Sequence, residues 1–348
     1  MTADISVVGV EISEDVVYIA QVYSENNQIY IEKLLSFELP SKLVVDCKIL
    51  DVDVFVEKLR EVITKNELNV QQMVLGFRSL IYYQSVEKFS EASWTGVDNF
   101  VSLKMEQLLE FSSKPFVYGY QFLDIETVDD ENYRYLYYCV FSKAIFEFYY
   151  ELVQNVMGYQ LLGTDMSVMA AFRAITYQKN IEPMIFVYVD TQMVHVIIQG
   201  DGDVFLSKSF SVFATDWFHD EITISSLNKR ILRFFMSFYD IYSFATLPVS
   251  VTFFSRLNTC EVFLGFFKKS FPEFNVTFFD GLDQNIFHFN DQSLLERENM
   301  YSSYLSVIGY TLKVFCKRSE MINFVEVKQK LSPLIKPKIL ISNVLVGV

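Results

Sequence analysis

Residues 184–210 read MIFVYVDTQMVHVIIQGDGDVFLSKSF. An apolar run, Ile185 to Val189, ends in an acidic residue, Asp190. A second run, Met193 to Ile198, follows, then Gly200-Asp201-Gly202-Asp203 and a third run from Val204. Short β-branched and aromatic runs joined by Gly/Asp turns predict strand, tight bend, strand, hairpin turn, strand. The chain opens on the same pattern: Val7-Val8-Gly9-Val10 leads into Glu11, then Val16 to Ala20, a polar turn at Glu25-Asn26-Asn27-Gln28, and a third run from Ile29. A β-β-β unit with an acid after its first strand, written twice, predicts an internal duplication.

That duplication resembles the actin-like superfamily of actin, sugar kinases, heat-shock ATPases and the bacterial proteins FtsA and PilM. The resemblance implies an α/β fold of two lobes, a ribonuclease H-like unit used twice. It also implies that each first bend derives from an Asp-x-Gly loop that holds phosphate.

A chain of 348 residues, 51% hydrophobic, has material for a sizeable core divided between two lobes. A net charge of -14 argues against nucleic acid, whose phosphates need a Lys/Arg surface. Cys47, Cys139, Cys260 and Cys316 lie far apart, without CxxC or a nearby His, which predicts buried thiols in a reducing compartment rather than disulfides or zinc. MTADISVVGVEIS has no basic region ahead of an apolar one and does not read as a signal peptide, and no window reaches the roughly 18 apolar residues of a spanning helix. The expected location is cytoplasmic.

Between the two β-units, periodicity predicts a helix over 53–65, strands over 73–77 and 80–89, a helix over 96–111, strands over 116–125 and 133–141, and a helix over 143–157. Ser142 is the expected N-cap of that last helix and Gly158 its stop. Leu161-Leu162-Gly163 then leads through Asp165 into a helix ending near 178. This order resembles PilM and the subdomain 1C that FtsA and PilM insert. The similar segments are DCKILDVDVFVEKLREVI, VSLKMEQLLEFSSKPFVYGYQFL and FYYELVQNVMGYQLLGTDMSVMAAFRA. The second half departs from that family. Only residues 211–226 separate the second β-unit from the helix 227–242, so subdomain 2B is reduced to a loop. The expected division is therefore 1–44 with 165–180 as the first lobe, 45–164 as the insert, 181–320 as the second lobe, and 321–348 as a tail. The helix 301–315, with Gly309, matches the family's closing helix.

The resemblance places the two phosphate loops at Glu11-Ile12-Ser13 and Asp190-Thr191-Gln192, where Ser13 and Gln192 stand in place of glycine. Glycine there lets backbone N–H groups approach phosphate. The adenosine loop, a strand ending in Gly-Gly in the family, corresponds to residues 251–257, where Ser255 and its neighbours include no glycine. Two altered loops, missing adenosine glycines and a missing 2B together argue against ATP and Mg²⁺ as cofactors, and so against catalysis. Glu11 and Asp190 read as strand-end acids bonded to nearby backbone. His195, His219 and His288 are scattered, and His195, inside a strand, reads as a satisfied residue rather than a ligand.

Ile322-Asn323-Phe324-Val325 resembles the Ile-Asn-Leu-Leu peptide with which PilN, PilM's membrane partner, begins; Lys328, Lys330, Lys336 and Lys338 follow. The resemblance implies a non-catalytic scaffold, peripheral to the inner membrane, in a type IV pilus or type II secretion platform. Its implied partners are a PilN- or GspL-like bitopic protein, the associated secretion or pilus ATPase complex, and a second copy as a homodimer. The competing expectation is an FtsA-like ATPase that assembles filaments.

Overall fold

The computed structural model describes residues 6–26, 28–77, 82–90, 96–107, 115–128, 131–177, 182–200, 205–212, 217–242, 246–256, 261–290 and 300–315. The chain runs β1 (Ser6–Ile12), β2 (Val16–Glu25), β3 (Gln28–Glu38), the short β4 (Val44–Val45) and β5 (Lys48–Ile49), and α1 (Val52–Lys65). It continues through β6 (Gln72–Phe77), β7 (Tyr82–Ser90), α2 (Val97–Glu106), β8 (Phe116–Val128), β9 (Glu131–Ser142), α3 (Lys143–Glu151), β10 (Gln160–Met166) and α4 (Ser167–Thr176). The second half is β11 (Met184–Val189), β12 (Met193–Gln199), β13 (Phe205–Ser211), α5 (Glu221–Ile241), β14 (Ser250–Ser255), α6 (Glu261–Ser270), β15 (Asn275–Phe278), β16 (Phe287–Phe289) and α7 (Met300–Phe315).

The duplication read from the sequence is present in the sheets. The first has the order β10-β6-β1-β2-β3-β16 and the second β13-β12-β11-β14-β15. In each, three antiparallel strands form a meander whose first strand takes a parallel neighbour on its other side: β6 beside β1, and β14 beside β11. A further parallel strand follows in each, β10 beside β6 and β15 beside β14. β1 and β11 are buried along nearly their whole length, as central strands covered on both faces must be. The fold is the two-lobed α/β fold expected.

The expected lobe boundaries are corrected at three places. Strand β6 and most of β10 fall inside the 45–164 range but pair within the first sheet, so apart from the short β4-β5 pair the insert sheet is β7-β9-β8, with α2 on one face. Strict alternation along β9 explains why this small sheet holds. Leu136, Tyr138 and Val140 meet Val97, Val101 and Met105 of α2, while Tyr135, Tyr137, Cys139 and Phe141 join the main core. Secondly, β16 pairs with β3 and belongs to the first sheet. Thirdly, α7 lies on the first lobe, against β1, β2, β6 and α4, rather than on the second. Glycines explain that seat. A Cβ at Gly309 would stand 1.8 Å from the Ala170 carbonyl oxygen of α4, and one at Gly9 would stand 2.5 Å from the Val307 carbonyl oxygen. Close backbone approach is what glycine permits here.

α1 presents Phe55, Val56, Leu59 and Ile63 to the core, and Asp51 caps it by accepting from the Val54 N–H at 3.1 Å. Ser142 makes no side-chain cap bond, and after Glu151 the helix loosens into a π-turn, Leu152–Val156, before Gly158 turns with φ +80°. Asp165 does not start a helix but lies near the end of β10, and α4 begins at Ser167. Only residues 212–220 separate β13 from α5, too few for a 2B subdomain. Within them Trp217 is buried against Phe263 and donates its indole N–H to the Thr191 carbonyl at 2.9 Å, so this short link covers the second hairpin bend.

Candidate functional site

The three loop positions singled out in the sequence come together between the lobes. β1 delivers Glu11 from the first lobe, β11 delivers Asp190 from the second, and β14 ends beside β11 with Ser255 opposite Val189. The residue after Ser255, Arg256, donates its backbone N–H to the Val189 carbonyl at 3.0 Å, which extends the β14–β11 pairing by one bond.

That side chain crosses from one lobe to the other. Arg256 Nη1 is ion-paired with Glu11 Oε1; the two side chains are 3% and 0% exposed. The second guanidinium nitrogen donates to the Ser303 carbonyl of α7 at 3.0 Å, and the plane lies 5.4 Å from the Tyr18 ring. Tyr188 Oη is 3.4 Å from Nη1 and also 3.4 Å from Asp190 Oδ2. Burial by itself would lower the Arg256 pKa; the Glu11 carboxylate outweighs it and holds the guanidinium well above its ordinary value. The other oxygen of Glu11 accepts from Tyr310 Oη at 3.0 Å and Ser167 Oγ at 2.8 Å, and these two hydroxyls are 2.8 Å apart. Tyr310 reaches this point because Gly76 has no side chain: a Cβ there would overlap its ring. Burial, then the nearby Glu11 charge, pushes the Tyr310 phenol well above its usual value, so it stays a donor.

The loop residues are closed on themselves. Ser13 Oγ donates to the Val16 carbonyl at 2.6 Å and accepts from the Val16 N–H at 3.1 Å, while its own N–H goes to the Val16 carbonyl at 3.1 Å. Asp190 Oδ1 accepts from the Thr191 N–H at 2.7 Å, and Gln192 is exposed, its carbonyl accepting from the Val212 N–H at 2.8 Å. The bonding of Asp190 to adjacent backbone is as read from the sequence; Glu11 instead serves as one half of a buried ion pair. Arg256, Tyr310 and Ser167 were missed. For Arg256 there was a usable signal: it is the one cation of the 251–257 stretch, next to where glycines were sought. Tyr310 and Ser167 carried none, because only the docking of α7 and α4 brings them to Glu11.

Two other buried polar clusters flank this centre. Asp165 pairs with Arg173 at 2.7 Å and Lys313 at 3.7 Å, tying β10, α4 and α7 together inside the first lobe. Burial would raise the Asp165 pKa, but Arg173 and then Lys313 hold it below the ordinary carboxylate value. His195 is a satisfied residue, as expected, and it is buried in the core. Its ring nitrogens share hydrogen bonds with Ser209 Oγ at 2.6 Å and Ser207 Oγ at 2.6 Å, and Gln84 of the insert lies 2.9 Å from it. Burial pushes its pKa down to about 3. Cys47 and Cys139 are buried and in no disulfide, while Cys260 and Cys316 lie outside the described residues. Among the described residues no cluster of His, Cys, Asp or Glu could hold a metal ion, and no helix is long and apolar enough to cross a membrane. The peptide-like Ile322, Asn323 and Phe324 also lie outside the described residues.

A duplicated ribonuclease H-like sheet, an ion pair between the lobes at the first hairpin bend and a closing helix on the first lobe define an actin-like fold. No protein-family model matches the chain, and no curated protein matches it. Among solved structures, the PilM-PilN type IV pilus biogenesis complex is similar over 89% of this chain and 98% of that one, with a TM-score of 0.64 and 11% identity. Weaker likenesses are a Bacteroides thetaiotaomicron protein with an actin-like ATPase fold (TM-score 0.45, 11% identity, 84% and 96% covered) and the cytoplasmic domain of EpsL, an inner-membrane component of the Vibrio cholerae type II secretion system (0.43, 8%, 92% and 98%). The chain thus has the actin-like fold in a form similar to PilM.

Proposed function

We propose that this protein is a non-catalytic, actin-fold scaffold of a type IV pilus or type II secretion inner-membrane platform. One observation carries the non-catalytic part: Arg256 pairs with Glu11 from one lobe to the other, at the positions where the resemblance puts the phosphate and adenosine loops. Both oxygens of Glu11 are already bonded within the protein, by Arg256 on one side and by Tyr310 and Ser167 on the other. To bind Mg-ATP the protein would have to separate a buried ion pair, which costs about 3–5 kcal/mol when one partner is left uncompensated. Ser13 and Gln192 offer no glycine cradle in return. The platform role is supported by the likeness to PilM, whose solved structure is a complex with PilN. On this reading the chain sits at the cytoplasmic face of the membrane and recognises an extended peptide of a PilN- or GspL-like bitopic protein. Residues 322–324 would be a covalently attached version of that peptide, competing for the same groove or linking copies into dimers.

Thermal unfolding with increasing Mg-ATP tests the first part. Micromolar affinity at millimolar ligand stabilises by about 4 kcal/mol, so an unchanged melting temperature is expected and a clear rise overturns the scaffold reading in favour of an ATPase. The second part is tested by titrating the full chain with a synthetic peptide that begins Ile-Asn-Leu-Leu. Absence of binding, to both the wild type and an Asn323→Ala, Phe324→Ala variant, removes the platform assignment.

A further inference from the structure

A pocket of about 320 Å³ follows the outer edge of β13. Tyr83 to Val86 of β7 wall it on one side, and Phe234, Ser237 and Ile241 of α5 on the other. β13 and β7 are each the terminal strand of a sheet, and they are not paired with one another.

Two contacts establish which main-chain groups of β13 face this pocket. The Tyr242 hydroxyl accepts from the Phe205 N–H at 3.4 Å and donates to the Phe205 carbonyl at 2.8 Å. Arg230 Nη1 donates to the Ser211 carbonyl at 3.0 Å. In an antiparallel pair, residues alternately bond to the neighbouring strand and turn away from it. Residues 205, 207, 209 and 211 therefore turn their main chain away from β12. Val212 has the opposite parity and sends its N–H inward, to the Gln192 carbonyl. Tyr242 and Arg230 thus stop the two ends of the edge, and between them Ser207 and Ser209 present N–H and C=O groups to which no strand is paired among the described residues. Groups at this spacing match the main chain of an extended peptide.

We propose that this edge docks an extended segment of a partner protein, which adds one short strand to β13 through Ser207 and Ser209. The walls specify the segment. One row of its side chains meets Phe234 and Ile241, which calls for apolar residues; the other meets Gln84 and Ser85, which calls for small polar ones. At the Ser211 end Lys208 and Arg230 stand over the Phe210 ring, at 6.0 and 5.5 Å, so the segment carries an acidic residue there. The site lies between the insert and the second lobe, and it does not depend on which membrane platform the chain serves.

Selection of a displayed library of random heptapeptides on the full chain tests this, with Ser209→Pro and Ser209→Ala as variants. The Ser209 N–H faces outward, so proline there removes no ladder bond, and proline is tolerated at such edge positions. Alternating apolar and polar peptides with an acidic end should be enriched. The best synthetic peptide should bind Ser209→Pro at least tenfold more weakly and Ser209→Ala within threefold of wild type. In the wild type it should slow hydrogen exchange at the Ser207 and Ser209 amides, a readout independent of any folding defect in the proline variant. Equal binding to Ser209→Pro, or no selected peptide that protects these amides, overturns the proposal. So does concentration-dependent self-association that Ser209→Pro abolishes, which assigns the edge to a second copy.

Discussion

The two buried ion clusters use the same chemistry for different ends. Asp165, Arg173 and Lys313 join β10, α4 and α7, all within the first lobe, whereas Glu11 and Arg256 join one lobe to the other. The first cluster locks a helix onto a sheet. Arg173 donates to the Gly309 carbonyl at 2.7 Å and Lys313 to the Thr164 carbonyl at 3.0 Å, so each cation also satisfies backbone, one between α4 and α7 and the other between α7 and β10. The second cluster bridges the end of β1 in the first lobe and the end of β14 in the second. A buried ion pair is seldom a large net source of stability, but it strongly resists loss of one partner. The same pairing therefore ties elements together within a lobe in one place and ties the two lobes together in the other.

The largest effect expected from breaking this contrast is at Asp165→Ala. It leaves Arg173 and Lys313 as buried cations without their carboxylate, and chemical denaturation should show a loss of about 3–5 kcal/mol. A loss under 1 kcal/mol would mean that the cluster is solvated in solution. Arg256→Met should cost about 3 kcal/mol, and the double variant Glu11→Gln, Arg256→Met should recover much of it, because no lone buried charge then remains. Only the Arg256 variant should also widen the interlobe distance, measured between spin labels on α6 and α1. Equal distances in both would make the crossing pair merely structural.

A third test uses pH. His195 has a folded pKa of about 3 against an unfolded value of about 6.5. Between these values the unfolded chain binds the extra proton, so stability is whole above pH 6.5 and declines as pH falls toward 3. At pH 5 the His195 part of the decline is about 2 kcal/mol. His195→Gln should flatten the pH 5–7 slope while leaving Asp165 to act lower down. Since the Asp165 pKa is depressed, its contribution is present above the unfolded carboxylate pKa and is lost as pH falls through the folded one. Unchanged slope in His195→Gln would show that the ring is accessible to protons. Smallest is Tyr310→Phe, which removes one hydroxyl from Glu11 Oε2 while Ser167 remains; about 1 kcal/mol is expected.

How legible the molecule was in its sequence follows the range of the signals. The duplicated strands, the α1 stripe and the shortened link before α5 are local patterns, and each is present in the fold. Lobe membership was not legible for β6, β10, β16 and α7. A parallel strand or closing helix is assigned to a sheet by partners far away in the chain, and its own apolar run is the same whichever sheet receives it. The candidate site was legible as a set of altered loop positions, Glu11, Ser13, Asp190, Gln192 and Ser255, but not as a structure.

The sequence by itself determined that the chain carries two copies of one β-β-β unit, with an acid at each first bend and no glycine behind it. That much is period-two patterning and residue identity, which need no partner to be read. Only the tertiary structure decided what the acids do. Glu11 and Arg256 are 245 residues apart in the chain, and they meet because β14 pairs with β11 while α7 closes over Gly9 and Gly76. An ion pair depends on distance in space and on exclusion of water. Neither exists until both lobes are folded against each other.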